Sequence, residues 1–269
     1  MTKPSEIKKL SLENRKRIID MVYFAGCGHP GGSLSMIDVL TAVYEIDVDF
    51  SKEKRTKVIL SKGHAVPAQY AILNEKGFIS DDEMKTFRMC DSRLEGHPHH
   101  LSVPEVDSTT GLLGQGLSLG VGTALAKKMN NDDTRVYVFV GDGELVEGQI
   151  WEAMIQASHY NLNNLIMILD YNKLSSSGPV CDCMNIEPVK DKFMSFGWKT
   201  FSIDGHNYDE IYDVINSAKL ETLKPVTIIS NTVKGKGVSF MENNPQWHSG
   251  GLNDCEYEQA LKDLSMGVD

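Results

Sequence analysis

The feature of this sequence that most constrains its fold is a pattern of strand, turn, helix and strand. An apolar, largely β-branched run over residues 136–140 stops at Gly-Asp-Gly, residues 141–143, and a helical pattern follows. A second apolar run over residues 165–169 then precedes Asn172. This order predicts a βαβ unit with two buried strands. Its glycines allow a phosphate to approach the helix N-terminus, where unpaired N–H groups and the helix dipole favour negative charge.

Asp142 and Asn172 lie just past the two strands, 172 − 142 = 30 residues apart. The carboxyl ends of parallel strands meet at one edge of a sheet, so both side chains can bind one oxygen-preferring cation. Alone, Gly-Asp-Gly is more often an ordinary turn, and Asn172 is more often an ordinary loop residue. The complete order of strand, Gly-Asp-Gly, helix, strand and Asn favours the alternative, a metal ion that holds a diphosphate.

The alternation of strand and helix continues on both sides of this unit. Further strands are predicted from apolar runs at residues 57–60, 199–203 and 225–230. Helices are predicted after Ser11, Ser35 and His64, after residues 109–116, after residues 141–143, over 189–196, after His206 and over about 253–264. We therefore predict one α/β domain over residues 1–269, with a mostly parallel sheet and helices on both faces.

The charge and cysteine content argue against several classes of protein. Lys and Arg number 27 against 37 Asp and Glu, a formal charge of −10, which disfavours a nucleic-acid or anionic-membrane partner. No apolar run approaches the roughly 18 residues of a membrane span, and the charged N-terminus is unlike a signal peptide. We therefore expect a cytoplasmic protein. Five cysteines fit reduced thiols, and the close pair Cys181 and Cys183 lacks the second pair typical of zinc sites.

Two histidines lie where a glycine-rich loop or a strand end brings backbone close to a ligand. His29 lies between Gly28 and Pro30, in the loop between the first two predicted helices, and His64 follows the strand at 57–60. An isolated loop histidine is usually only solvated. Neighbouring glycines, however, leave the backbone free to approach a ligand, so both histidines are candidate site residues.

Three further loops carry candidate residues. His97 lies in an irregular segment with His99 and His100, where the alternative of a zinc site lacks a cysteine or carboxylate at clear ligand spacing. The glycine-rich stretch 111–116 opens a helix, which indicates tight packing or a ligand against the backbone. A long loop after the last predicted strand ends near His248, and loops of this length are commonly functional.

Seven motifs, taken in order, resemble the transketolase family over nearly the whole chain. They are Gly28-His29-Pro30-Gly31, Leu60-Ser61-Lys62-Gly63-His64, Gly96-His97-Pro98, Gly111-Leu112-Leu113-Gly114-Gln115-Gly116, Gly141-Asp142-Gly143 with Glu147-Gly148, Asp170-Tyr171-Asn172, and Trp247-His248. The related deoxyxylulose-phosphate synthases share several of these motifs. Two departures are Leu112, where the family often has proline, and Ser249, where glycine usually follows the histidine. Neither departure removes a functional group.

The resemblance implies thiamine diphosphate as cofactor, with Mg²⁺ or Ca²⁺ bound by Asp142, Asn172 and the backbone carbonyl of Leu174. It implies cofactor contacts from His64, Gly114, Gly116, Gly141, Asp142, Gly143, Asn172 and His248, with the N–H of Gly143 donating to the diphosphate. The implied catalytic residues are His29, His64, His97, His248 and Glu147. Of these, His29 and His97 would bond the hydroxyls and carbonyl oxygen of the donor ketose. Glu147 and Glu152 would lie between paired active sites, although Glu152 equally suits a solvated helix face.

The length of the chain departs from the family. A full transketolase is more than twice as long, and its second domain supplies the glutamate that activates the aminopyrimidine ring of the cofactor. The resemblance therefore implies the N-terminal subunit of a split transketolase, which transfers a two-carbon ketol unit from a ketose phosphate to an aldose phosphate. We expect a separate C-terminal subunit that carries the pyrimidine-binding domain, self-association, and a heterotetramer as the complete enzyme.

Two other functions stay open at this point. One is a split relative that acts on an unusual sugar phosphate or a sulfosugar, because most residues that recognise the phosphate end belong to the second domain. The other is a non-catalytic protein that binds thiamine diphosphate, although the predicted His29, His97 and Asp142 are all present. A dinucleotide-dependent dehydrogenase is disfavoured, because no Gly-x-Gly-x-x-Gly follows the first strand.

Overall fold

A parallel sheet of five strands runs through residues 2–266, the part of the chain that the computed structural model describes. Its strands are β1 (Lys57–Leu60), β2 (Val136–Gly141), β3 (Leu165–Tyr171), β4 (Lys199–Asp204) and β5 (Val226–Asn231). Their order across the sheet is β1, β2, β3, β5, β4, and each neighbouring pair is parallel. The predicted parallel sheet is confirmed. That residues 1–269 form one domain stays a prediction, since Met1 and residues 267–269 lie outside the described range.

Helices cover both faces of the sheet, as predicted. They are α1 (Pro4–Ala25), α2 (Pro30–Asp47), α3 (Val66–Glu75), α4 (Asp81–Met84), α5 (Gln115–Met129), α6 (Gly148–His159), α7 (Val180–Cys183), α8 (Val189–Ser195), α9 (Tyr208–Lys219) and α10 (Asp254–Met266). Short 3-10 turns lie at Gly63–Ala65, Gly143–Val146 and Pro245–His248. Within residues 2–266, no helix combines the length and apolarity needed to cross a membrane.

The side chains of β2 alternate between two apolar cores. Tyr137 and Phe139 belong to the core shared with α1, α2, α3 and α9, whereas Val136, Val138 and Val140 belong to the core shared with α5, α6 and α8. This alternation is the two-residue period of a β-strand. Because both faces are covered, the polar groups at the carboxyl ends of the strands are left to form a site at the edge of the sheet.

Two helices begin earlier than the sequence pattern predicts. α1 begins at Pro4 rather than near Ser11, and α2 begins at Pro30 rather than at Ser35. Proline suits the first turn of a helix, because the N–H that it lacks has no partner within the helix at that position. The early start of α2 places His29 directly before a buried helix, which fixes the position of that histidine.

The helix after Gly-Asp-Gly also differs from the prediction. The 3-10 turn Gly143–Val146 separates the motif from α6, so Glu147 precedes the helix instead of lying on it. The turn is closed by the backbone hydrogen bond from the Leu145 N–H to the Asp142 carbonyl at 3.1 Å, and the Asp142 carboxylate also accepts the N–H of Gly143 at 2.7 Å. The backbone after β2 is therefore held close to the end of the strand rather than passing directly into a helix.

Candidate active site

A cavity of about 350 Å³ lies beyond the carboxyl ends of β2 and β3. Nine of the predicted residues line it, namely His29, His64, His97, Gly141, Asp142, Gly143, Asn172, Leu174 and His248. Three others, Gly114, Gly116 and Glu147, are not among its lining residues. The structure thus brings together the metal, diphosphate and histidine groups that the sequence spreads over more than 200 residues.

The carboxylate of Asp142 lies at one end of this cavity and is only 3% exposed. It accepts hydrogen bonds from the N–H groups of Gly143 and Lys173. Burial, together with the nearby carboxylate of Asp170, raises the pKa of Asp142 to about 6. The N–H of Gly143, predicted to bind the diphosphate, donates to Asp142 in this structure. A buried, weakly compensated carboxylate of this kind is well suited to bind a cation.

Asn172 and Leu174 complete the predicted set of oxygen ligands. The amide oxygen of Asn172 accepts the N–H of Leu174 at 3.0 Å, which folds the backbone back toward Asp142. The carbonyl oxygen of Leu174 accepts a hydrogen bond from the Lys234 ammonium at 2.8 Å, so this oxygen already binds a positive charge. Carboxylate, amide and carbonyl oxygens are the donors that Mg²⁺ and Ca²⁺ prefer, so the residues fit such an ion.

Lys234 is a site residue that the sequence analysis missed. Its ammonium is 2% exposed, donates to the carbonyl of Ser175 at 3.1 Å, and lies 3.1 Å from Nδ1 of His248. Burial and the charge of Lys62 lower the pKa of Lys234 to about 8. The sequence feature that could have indicated Lys234 is its position between the end of β5 and Gly235, in the long loop after the last predicted strand.

Lys62 lines the floor of the cavity and its partner Asp170 is buried beside it; the two were also missed as a pair. The Lys62 ammonium is ion-paired with Asp170 and donates to the carbonyl of Gly32 at 3.0 Å. Asp170 also accepts hydrogen bonds from the hydroxyls of Ser35 and Thr232, each at 2.5 Å. Burial alone would raise the pKa of Asp170, but Lys62 and these hydroxyls hold it below its usual value.

Three of the predicted histidines form a cluster over this floor. Ring centroids are 5.1 Å apart for His29 and His64, 5.1 Å for His64 and His248, and 5.5 Å for His29 and His248. Burial lowers the pKa of His29 to about 4, of His64 to about 2 and of His248 to about 4. Each ring is therefore neutral near pH 7, and can both donate and accept a hydrogen bond.

His29 and His97 present polar groups that can bind a ligand. The buried Nδ1 atom of His29 has no hydrogen-bond partner within residues 2–266. The ring of His97 lies against Gly111, where an added Cβ would be 3.5 Å from the imidazole. Burial and the charge of Arg88 lower the pKa of His97. A buried nitrogen without a partner costs free energy unless a ligand supplies the missing hydrogen bond.

Glu144 lies in the wall of the cavity, where its role is to hold backbone. Its carboxylate accepts the hydroxyl of Ser61, the N–H of Gly114 at 2.7 Å and the N–H of Gly141 at 3.0 Å. Gly114 therefore acts through Glu144 in this structure, without lining the cavity itself. The pattern of hydrogen bonds ties the glycine-rich loop to the Gly-Asp-Gly turn, a contact that no local sequence signal predicts.

The alternative of a zinc site finds no support in the arrangement of the side chains. His99 contacts Ser102 at 2.6 Å, and His100 contacts the carbonyl of Val106 at 2.6 Å. Within the described range, no three or more His, Cys, Asp or Glu side chains group in a way that could hold a metal. Cys181 and Cys183 are both exposed and unbonded to each other.

Comparison with known proteins identifies the class to which this fold and cavity belong. Residues 8–269 match the family described as transketolase, thiamine diphosphate binding domain. The transketolase of Campylobacter jejuni has the same fold, with a TM-score of 0.90 and 32% identity over 98% of this chain and 43% of that one. The class is thus that of thiamine diphosphate-binding domains. This chain belongs to the transketolase family.

Relatives of similar length are named as subunits of transketolases. One subunit of the apulose-4-phosphate transketolase of Phocaeicola vulgatus is 42% identical over 96% of this chain and 94% of its own. One subunit of the 6-deoxy-6-sulfo-D-fructose transketolase of a Clostridium species is 40% identical over 96% and 93%. The human transketolase is 36% identical, but this chain spans only 43% of it.

Proposed function

We propose that this chain is the diphosphate-binding subunit of a two-subunit transketolase. The enzyme transfers a two-carbon ketol unit from a ketose phosphate to an aldose phosphate. The observation that carries this proposal is the meeting of Asp142, Asn172 and the Leu174 carbonyl with four histidines in one cavity. The family match and the relatives of similar length support it.

Thiamine diphosphate, with Mg²⁺ or Ca²⁺, is the cofactor in this proposal. When bound, it supplies the nucleophilic carbon that carries the two-carbon unit between sugars. Asp142, Asn172 and the Leu174 carbonyl would hold the metal ion, and the Lys234 ammonium would lie beside the diphosphate. The buried floor of the cavity excludes water around these charges, which strengthens each electrostatic contact.

The neutral histidines orient the sugar and move its protons. His29 and His97 would bond the carbonyl oxygen and the hydroxyls of the donor, with the free Nδ1 of His29 as one contact point. His64 contacts the rings of His29 and His248, and His248 contacts Lys234, which donates to the Leu174 carbonyl. A neutral imidazole can accept a proton from one hydroxyl and donate its own to another oxygen. Both proton transfers are needed when the bond next to a hydroxyl is broken.

A second polypeptide completes the enzyme. Because a carboxylate must move the aminopyrimidine proton, the partner is a C-terminal subunit that carries the pyrimidine-binding domain. Large apolar side chains are exposed on and beside α5 and α6, namely Leu112, Leu119, Val146 and Ile155. Leu112, the most accessible of them, is 80% exposed, and an apolar patch of this kind suits a protein interface. We infer self-association at this surface and a heterotetramer in the cytoplasm.

The sugar that the enzyme uses is the second part of the proposal. Two relatives are named for apulose 4-phosphate and for 6-deoxy-6-sulfo-D-fructose, neither of which is an ordinary transketolase donor. These names favour an unusual sugar phosphate or a sulfosugar as an alternative to the common ketose phosphates. The activity of the complete complex on a panel of ketose phosphates and sulfosugars distinguishes these two classes of substrate.

The test is reconstitution. The purified chain should show negligible ketol transfer and gain it when mixed with the C-terminal subunit, while a mixture containing Asp142→Ala stays inactive. The proposal is wrong if the chain alone, free of copurified partner, turns over a ketose phosphate at ordinary enzyme rates. It is equally wrong if the complex binds thiamine diphosphate but transfers no ketol unit from any donor in the panel.

A further inference from the structure

Arg88 combines an unusual backbone conformation with an exposed cationic side chain beside the active-site cavity. It follows α4 and has φ of 60°, in the left-handed region that residues other than glycine adopt rarely. Its N–H donates to the carbonyl of Leu94 at 2.9 Å, which closes the turn. Backbone strain of this kind persists only where the surrounding structure holds it, and it is concentrated at functional sites.

The position of the guanidinium is defined by Gly96, the residue before His97. A Cβ added to Gly96 would lie 3.1 Å from both Cζ and Nη1 of Arg88, so the guanidinium packs directly on this backbone. Gly96 thereby makes room for Arg88 next to a histidine that lines the cavity. The strained turn and the glycine together bring the positive charge to the cavity edge.

Among the described residues, Arg88 is also the arginine whose guanidinium lacks a hydrogen-bond or ion-pair partner. Within residues 2–266, its guanidinium makes no hydrogen bond or ion pair with another residue. The other five arginines each donate to oxygens of the protein, through contacts with Asp38, Asn74, Asp107, Glu83 and Lys219. In a chain of formal charge −10, an unpaired guanidinium that packs on Gly96 is available for an anionic ligand.

The cations around the cavity lie at two separate ends. The Lys234 ammonium lies 3.1 Å from Nδ1 of His248, whereas the Arg88 guanidinium packs on Gly96, beside His97; burial and then both charges lower the pKa of His29. His29 is therefore between them. Lys234 also donates to the carbonyl of Leu174, a predicted metal ligand, so the histidines that would bind the sugar separate Arg88 from the predicted metal ligands.

We propose that Arg88 binds the anionic terminal group of the sugar substrate, a phosphate ester or a sulfonate. This inference rests on the proposed function, since it assigns the far end of the same substrate. Both groups are tetrahedral oxyanions, and the planar fork of an arginine donates two parallel hydrogen bonds to such a group. This subunit then takes part in recognising the charged end of the sugar, alongside its partner.

The first test compares a phosphorylated or sulfonated donor with its uncharged parent sugar in the complete complex. Arg88→Gly removes the charge at a position where glycine accepts the backbone conformation. The ratio of kcat/KM for the charged donor to that for the uncharged donor should fall about tenfold or more, as expected for loss of a charge-assisted pair. Arg88→Lys should recover part of the ratio. Lys85→Gln removes a charge from the same segment at an exposed ion pair and should leave it unchanged.

The second test needs no turnover. Phenylglyoxal labelling of Arg88 is followed by mass spectrometry, with Arg17 as an internal reference. Inorganic phosphate or methanesulfonate should slow the labelling of Arg88, while chloride at equal ionic strength should not, and the two anions show which oxyanion is preferred. The role of Arg88 would be overturned, and the proposed function left standing, by two results together. Phosphate and methanesulfonate would leave the labelling of Arg88 unchanged, and Arg88→Gly would lower kcat/KM equally for the charged and the uncharged donor. If the anions protect Arg88 in a complex that transfers no ketol unit, the role of Arg88 in binding anions stands and the proposed function is overturned.

Discussion

Lys62 and Asp170 form a buried ion pair, although the strands that lead to them are not neighbours. Lys62 follows β1 and Asp170 lies in β3, so the pair reaches over the end of β2, with side chains only 3% and 0% exposed. The pair keeps a fully buried carboxylate ionised beside Asp142 and Asn172, the predicted metal ligands. It also limits the repulsion that Asp170 exerts on Asp142, whose pKa is lowered by Lys62 and raised by Asp170.

Lys62→Met should destabilise the chain strongly, because it leaves the Asp170 carboxylate buried without its cation. The loss in free energy of unfolding should be about 3–5 kcal/mol, measured by urea denaturation at pH 7. Adding Asp170→Asn removes the unpaired charge, so the double variant should recover part of that loss. A single variant as stable as the wild-type chain would show that the pair contributes nothing to the fold.

Asp142→Ala should abolish the stabilisation of the chain by its cofactor. Thermal melts with and without thiamine diphosphate plus Mg²⁺ measure this directly. The wild-type chain should melt at a higher temperature with both present, and the variant should not. In the absence of ligands the variant should be little destabilised, because burial and Asp170 disfavour the carboxylate that it removes. Equal shifts in the two proteins would contradict the metal assignment.

Local patterns in the sequence predict much of the fold and part of the site. The strands are readable because each is a short apolar run, and Asp142, Asn172 and His64 are readable because they directly follow strand ends. The starts of α1 and α2 are predicted too late, since their first turns carry charges or glycines instead of an apolar stripe. The proline at the first position of each helix, Pro4 in α1 and Pro30 in α2, is the sequence feature that marks the two starts.

The missed site residues depend on contacts that no local pattern encodes. Lys62 reaches Asp170 over 108 residues of sequence, and Glu144 reaches the N–H of Gly114 over 30. Buried charges of this kind are favourable only when the fold brings their partners to them. Lys234 is a comparable case, since its ammonium is placed by the carbonyls of Leu174 and Ser175, 60 and 59 residues earlier.

His29→Ala and His97→Ala should impair use of the donor more than binding of the cofactor. Both side chains belong to loops apart from the Gly-Asp-Gly motif, and burial and the charge of Arg88 lower the pKa of each. In the complete complex, turnover of the donor should fall, while the Kd for thiamine diphosphate stays within about fivefold of wild type. A variant that loses cofactor binding but retains normal turnover at saturating cofactor would reverse these assignments.

The histidine cluster predicts how stability depends on pH. Burial lowers the pKa of His29, His64 and His248 below the ordinary value of 6.5, so below that pH the unfolded chain takes up protons that the folded chain does not. Their contribution to the free energy of unfolding is therefore complete above pH 6.5 and falls as the pH is lowered toward 4. The slope is at most about 1.4 kcal/mol per pH unit for each histidine.

Urea denaturation at pH 7 and pH 5.5 tests this dependence. His64→Asn removes one of the three groups, so the difference in stability between the two pH values should be smaller in the variant than in the wild-type chain. An unchanged difference would mean that His64 is readily protonated in the folded state, in conflict with its burial between His29 and His248.

The spread of the cavity residues along the chain also sets when the cofactor can first bind during synthesis. His29 and His248 lie 5.5 Å apart in the structure, yet 248 − 29 = 219 residues separate them in the sequence. At the usual pace of a ribosome, roughly 10 to 45 s pass between the addition of the first histidine and that of the last. The loop with Lys234 and His248 leaves the exit tunnel after all five strands of the sheet. The nascent chain therefore has no complete cavity until this loop has emerged, and the cofactor expected there can occupy a complete site only from that point.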